Sequence, residues 1–327
     1  MSFPRDLADS IVERFKALPP SGYALLANVS SVQDDRFEVS TDLIVRKASQ
    51  VEAEEIRQAI AFYYPACQRN PFETEVTGRE QSEPGVETIT VSTLPPDRWR
   101  YVVVDHTGGN IRTHALVEAS FFTFSPLELG FHAGNGAGAT GLGTNRGLDR
   151  ALDDPEPDQR FLALDDDHLS ELRGLFEKWI NFNHDDLDLR SPVRQFGEIL
   201  ELERHSALRY VGLFTIIESL LTHDPKPSDP ADSLTRQVIR KMHLLGRRSP
   251  RPPPYVDYFG QARPDTVWTK FYGVRSSIAH GRKPDFAKDF SLLLDLEHAT
   301  RFLRRATSVV LRQALHEPQL VADLREC

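Results

Sequence analysis

Apolar residues recur along this chain in two different rhythms. Leu7, Ile11, Phe15 and Leu18 are spaced four, four and three apart, one face of an amphipathic helix. Residues 23–29 and 36–46, rich in Val, Ile and Phe, read as strands. Ser49 and Glu52 then match a capping box, in which each side chain satisfies the other's backbone N–H. The helix they open, over 51–64, puts Ile56, Ile60 and Tyr63 on one side and stops at Pro65. Strand patterns return at 87–94, 99–105 and 114–124. This mixture predicts a small α+β domain.

A Gly-rich segment over 132–146 and the acidic, Pro-containing run LDDPEPDQR read as loop and linker. They place a boundary near residue 160, with domains over 1–160 and 161–327. Beyond it the rhythm is helical. Asp165–Asp167 can cap a helix carrying Leu169, Leu172, Phe176 and Trp179, and Pro192 opens a long helix to about Thr222. The later part of that helix, ALRYVGLFTIIESLL, is apolar nearly all round and is expected at the centre of a bundle. Asp232 or Ser233 caps a helix ended by Gly246, and after the loop RRSPRPPPY a further helix runs from Pro264 to Gly281. Leu292, Leu296, Ala299, Leu303, Ala306 and Val310 form a heptad-like seam, suited to bundle packing or to a partner chain. The expected fold is therefore an α+β N-terminal domain followed by an all-α helical bundle.

Charge refines this picture. The 327 residues hold 39 basic and 48 acidic side chains, net −9. Residues 1–160 hold 15 basic and 24 acidic side chains, whereas residues 231–312 hold 16 basic and 7 acidic. The total argues against a nucleic-acid binder, but the local excess offers a basic surface to an anion. The start of the chain has no apolar core of signal-peptide length, and the stretch 211–221 is too short to span a bilayer. Cys67 and Cys327 belong to no metal or redox pattern. A cytoplasmic protein without membrane contact is expected.

Gly136, Gly138 and Gly141 fit GxGxxG, but their flanks continue as loop rather than as strand and helix, so they read as a flexible loop. Asp105-His106 and His184-Asp185-Asp186 have metal or acid/base chemistry, yet neither has a second cluster at ligand spacing, and both read as solvated loop residues. No metal and no cofactor are expected.

The segment FYGVRSSIAHG, residues 271–281, places Arg275 and His280 within an otherwise apolar helix end. Five residues apart, they lie about 140° around the helix. The carbonyl end of a helix favours a cation, and an imidazole exchanges protons near neutral pH. By pattern alone these features suit a bundle salt bridge and a helix-end histidine better than a proton-transfer site, whose chemistry they also permit. Glu218, in the most apolar helix, is costly unless paired with an arginine such as Arg275 or Arg236.

R-x4-H followed by Gly, here RSSIAHG, resembles the HEPN motif, most closely that of the Apea-like branch. The helix YVGLFTIIESLLT with Glu218, the following TRQVIRKMHLLG and the aromatic FYGVR extend the resemblance over about 161–315. The family usually carries Asn, Asp or His directly after the Arg; this chain has Ser276. The resemblance implies a HEPN bundle that cleaves RNA without metal, as a homodimer formed through the HEPN helices. The 2′-OH of RNA would be the nucleophile and a 2′,3′-cyclic phosphate the product end. It implies His280 as acid/base and Arg275 on the scissile phosphate, with Ser276 and Glu218 in support. Arg247, Arg248, Arg251 and Arg282 would then hold RNA backbone. Such an enzyme would fit a defence or toxin-like system with a regulatory protein partner. The alternative is a non-catalytic HEPN dimer that binds RNA or another protein.

Overall fold

The computed structural model describes residues 21–34, 36–65, 67, 69–83, 86–107, 110–134, 146–153, 161–224 and 233–326. The expected first helix, the GxGxxG glycines, most of the acidic linker, Asp232 and Cys327 lie outside these residues. The chain forms two compact units, Met1–Val117 with Leu127–Phe176, and Glu118–Pro126 with Glu177–Cys327. The division thus falls at Phe176, not at residue 160, and residues 118–126 group with the second unit.

In the first unit the strands are β1 (Ser21–Leu26), β2 (Val29–Val32), β3 (Arg36–Ser40), β4 (Leu43–Lys47), β5 (Thr74–Glu83), β6 (Val86–Thr93), β7 (Val102–Thr107), β8 (Leu129–Gly134) and β9 (Leu162–Leu164). Five of them form an antiparallel sheet in the order β3-β4-β7-β1-β8. β5 and β6 pair as a hairpin, and β2 pairs with β9 in parallel. The single strand expected over 36–46 is two strands, turned at Thr41 and Asp42, where Ser40 pairs with Leu43 across the turn.

Helix α1 (Gln50–Tyr63) opens on the expected capping box: the Ser49 hydroxyl accepts from the Glu52 N–H, and Glu52 accepts from the Ser49 N–H at 2.8 Å. Its Ile56 and Ile60 are buried with Leu25, Ala27, Phe72, Tyr101 and Val103, but Tyr63 is exposed. Residues 114–124, expected as a strand, instead belong largely to helix α2 (Asn110–Ser120). Thr113, Leu116, Ala119 and Ser120 are its buried positions, a three-and-four spacing that fits a helix and no strand. Part of the Gly-rich segment expected as loop is β8, and helix α3 (Arg146–Asp153) follows with Leu148 and Ala151 buried.

The register assigns residues to the two faces of the sheet, because side chains directly paired across antiparallel strands share a face. Leu25 pairs with Val103 on the face covered by α1. On the other face His106 of β7 pairs with Gly22 of β1, and Ala24 of β1 pairs with His132 of β8. His106 is therefore no solvated loop residue; it lies in a strand and is 4 % exposed. Both ring nitrogens of His106 and of His132 are buried without a hydrogen-bond partner. Each such group costs about 1–3 kcal/mol. Asp105, on the opposite face, is held by Arg46 at 2.6 Å.

The second unit is helical. Helix α4 (Asp166–Ile180) belongs to the first unit up to Phe176 and to the second from Glu177; the helices wholly within the second unit are α5 (Arg190–Leu200), α6 (Ala207–Leu221), α7 (Leu234–Arg248), α8 (Tyr255–Phe259), α9 (Pro264–Ala279), α10 (Leu296–His316) and α11 (Pro318–Glu326). The single helix expected from Pro192 to Thr222 is two, α5 and α6. A turn at 201–206 separates them, and the Ser206 hydroxyl caps α6 by accepting from Leu208 N–H. As expected, α6 is central: it packs against α5, α7, α9, α10 and α11. Gly246 does not end α7, which runs on to Arg248. The seam residues Ala299, Leu303, Ala306 and Val310 are buried within the unit, together with Phe302, Val309, Leu311 and Ala314. The seam is thus spent on this chain's own core. No described helix is long and apolar enough to cross a membrane.

Candidate functional site

Helix α9 begins with Pro264 at its first position, where a missing N–H costs no helical bond. Val267, Trp268, Phe271 and Val274 are buried. They lock against α6: the Tyr210 hydroxyl donates to the Phe271 carbonyl at 2.7 Å, and the Phe214 ring meets Trp268 and Tyr272 edge-on. This packing fixes Arg275, one turn beyond Phe271, opposite Glu218 of α6.

Arg275 Nη2 donates to Glu218 Oε2 at 3.1 Å. The pairing expected from the cost of a buried carboxylate is made, and its partner is Arg275. The Glu218 side chain is 11 % exposed and that of Arg275 is 29 % exposed. Burial pushes the Glu218 carboxyl above the ordinary carboxylate range, and the Arg275 charge and hydrogen bond offset this in part. Glu218 Oε1 and Arg275 Nε are buried without a partner. The pair is therefore joined by one bond of the two a carboxylate and a guanidinium can share. The guanidinium also lies 5.9 Å from the centre of the Tyr272 ring.

The helix closes at His280 in a Schellman motif. Gly281 N–H donates to Ile278 O at 2.9 Å, and Arg282 N–H donates to Ser277 O at 2.8 Å. Gly281 takes φ +68°, a conformation glycine adopts without strain. The His280 imidazole is exposed and has no hydrogen-bond partner among the described residues. Ser276, directly after Arg275, is half-buried.

The chain then folds back along α9. Lys270 Nζ donates to Asp289 O at 2.7 Å, and Phe290 packs on Gly273, where an added Cβ would lie 2.7 Å from its ring. Arg282 and Lys283 are exposed at the start of this return. Lys283 was not singled out by the sequence; its place beside Arg282 just after the helix-ending glycine was the available signal.

The other candidate arginines are not part of this end of the helix. Arg247 lines an open groove of about 340 Å³ with Pro253, Tyr255 and Pro264. Pro264 and His280 are the two ends of α9, so that groove is about 24 Å along the axis from the imidazole. Arg248 is engaged by Glu317 through two bonds, 3.1 and 2.7 Å. Arg251 lines a narrow crevice with Phe122, Phe124, Val309 and Arg312. The structure thus joins Arg275 to Glu218 and carries Ser276, His280 and Arg282 on the same helix and its closing turn, while Arg247 lines a groove at the other end of that helix, Arg248 is held by Glu317 and Arg251 lines a crevice of its own.

Chemically, this arrangement offers an anchored guanidinium and, at the end of the helix, an exposed imidazole next to two exposed cations. Comparisons with family models, with curated proteins and with solved structures find no match for this chain.

Proposed function

We propose that the helical unit is an Apea-like HEPN domain acting as a metal-independent endoribonuclease. The observation that carries the reading is the contrast between the two motif residues. Arg275 is held by Glu218 of the central helix, whereas His280, at the closed end of the same helix, presents a free imidazole beside Arg282 and Lys283. RNA supplies its own nucleophile. The 2′-oxygen attacks the adjacent phosphorus as its proton passes to an imidazole, and the P–O5′ bond breaks as a protonated imidazole delivers a proton to the departing oxygen. The products are a 2′,3′-cyclic phosphate and a 5′-hydroxyl. One chain offers one such imidazole, so a two-fold homodimer would complete the pair. Arg275 would direct its remaining N–H groups at the phosphate oxygens, where charge develops. Ser276 would hydrogen-bond the phosphate.

The test is incubation of mixed RNA with the protein in EDTA, beside His280→Ala and Arg275→Ala. Cleavage by the parent chain with cyclic-phosphate ends, lost in both variants, supports the reading. Absence of cleavage with RNA binding or self-association retained would favour a non-catalytic HEPN module. That second reading draws on one observation: part of the Arg275 guanidinium is already committed to Glu218.

A further inference from the structure

We propose that His106, His114 and His132 of the first unit form a binding site for a zinc-class divalent metal ion. The three lie far apart in sequence, on β7, α2 and β8, and the fold brings their rings together. The ring centres of His106 and His132 are 6.4 Å apart, and those of His114 and His132 are 5.6 Å apart. Two imidazoles sharing one tetrahedral zinc have ring centres about 5 Å apart, given Zn–N bonds of about 2.0–2.1 Å.

The sheet makes room for this meeting. Between β7 and β8 runs β1, and its residues on this face are Gly22 and Ala24. Neither has a side chain long enough to separate the two rings, so His106 and His132 approach each other across the central strand. His106 is 96 % buried by its 4 % exposure, and its two ring nitrogens, like those of His132, find no partner. A buried polar group in that state normally marks a missing ligand or water. Neutral imidazole is also the form that binds metal. His114 stands at the open side: it is exposed, on the helix that borders the pair, and gives an ion a path from solvent.

Among the described residues no three ligand-type side chains are already drawn up around one point. Binding must therefore draw the rings closer, by roughly 1.4 Å for His106 and His132 and by roughly 0.6 Å for His114 and His132. Water would fill the remaining position on the ion.

The full-length protein, stripped with a chelator, is titrated with Zn²⁺ by calorimetry and with Co²⁺ by absorption spectroscopy. One ion per chain is expected, with a Co²⁺ spectrum of tetrahedral nitrogen coordination. His114→Ala removes an exposed ligand without touching the core and is expected to weaken binding roughly tenfold or more. His132→Gln is expected to do the same, whereas His280→Ala leaves the affinity unchanged. Absence of saturable binding overturns the proposal, as does an affinity unaffected by both His114→Ala and His132→Gln.

Discussion

Glu218 and Arg275 meet at 3.1 Å across two helices, and each keeps one buried atom, Oε1 and Nε, without a partner. Removing one member of such a pair leaves the other stranded, which costs about 3–5 kcal/mol when fully buried and less here, where Arg275 retains access to solvent. Glu218→Leu is therefore expected to destabilise the protein by about 1–3 kcal/mol. The double variant Glu218→Leu/Arg275→Met should recover most of that loss, because apolar isosteres replace both charges. Denaturant titrations of the two single variants and the double variant measure the coupling.

Stability near His132 and His106 should depend on pH in one direction. Burial lowers both groups, His132 to about 4 against an ordinary 6.5. As the pH falls from 6.5 towards 4, the unfolded chain takes up protons that the folded chain refuses, so stability declines through this window. Glu218, raised by burial, acts oppositely above the ordinary carboxylate range: its contribution falls as pH rises. Thermal melts at several pH values, compared with His132→Gln, should show a flatter acid limb in the variant. An unchanged acid limb would remove His132 as its cause.

Leu294 is the one described non-glycine residue with positive φ, at 62°, and it is 60 % exposed. Asp295 N–H closes a tight turn onto Leu293 O at 2.8 Å across it. A side chain in this conformation is strained. Leu294→Gly is expected to stabilise the helical unit by about 1 kcal/mol, since released strain exceeds the added freedom of the unfolded chain. A lower midpoint in urea would contradict this.

Gly273 provides the space that Phe290 occupies. Gly273→Ala forces the Phe290 ring away, at about 1–3 kcal/mol. Because Phe290 anchors the return segment that begins with Arg282 and Lys283, the proposed function predicts that RNA affinity falls with stability, and the additional change Phe290→Ala should restore the fit around the new methyl group. Filter binding and thermal melts on the two variants separate the effects.

The helical unit was largely legible in the sequence because its signals are local. Ser233 caps α7 through its side-chain oxygen, and Gly281 ends α9 in the left-handed conformation, both as the sequence offered. Pattern failed where a chain reversal lay inside an apolar run, as at Glu201–Ser206 and at Thr41-Asp42, neither of which contains Gly or Pro. It failed again at 114–124, where a strand was expected and tertiary burial of every third or fourth residue chose a helix over Asn110–Ser120. At the candidate site the sequence supplied Arg275, Glu218 and His280, but not the groupings that depend on long-range packing. Nothing local says that Arg247 lies at the far end of α9, or that Gly22 lets His106 reach towards His132.

The closure of α9 divides the preparation of His280 into two parts. Its backbone is set by the bonds of Gly281 and Arg282, so the ring is delivered to one place. The ring itself is exposed and has no hydrogen-bond partner among the described residues. Under the proposed function, orientation for proton transfer comes from outside the chain, from substrate or from a second subunit, and its entropic cost is met at that encounter. On that reading an isolated chain is half preorganised: it holds the imidazole in position while leaving it idle.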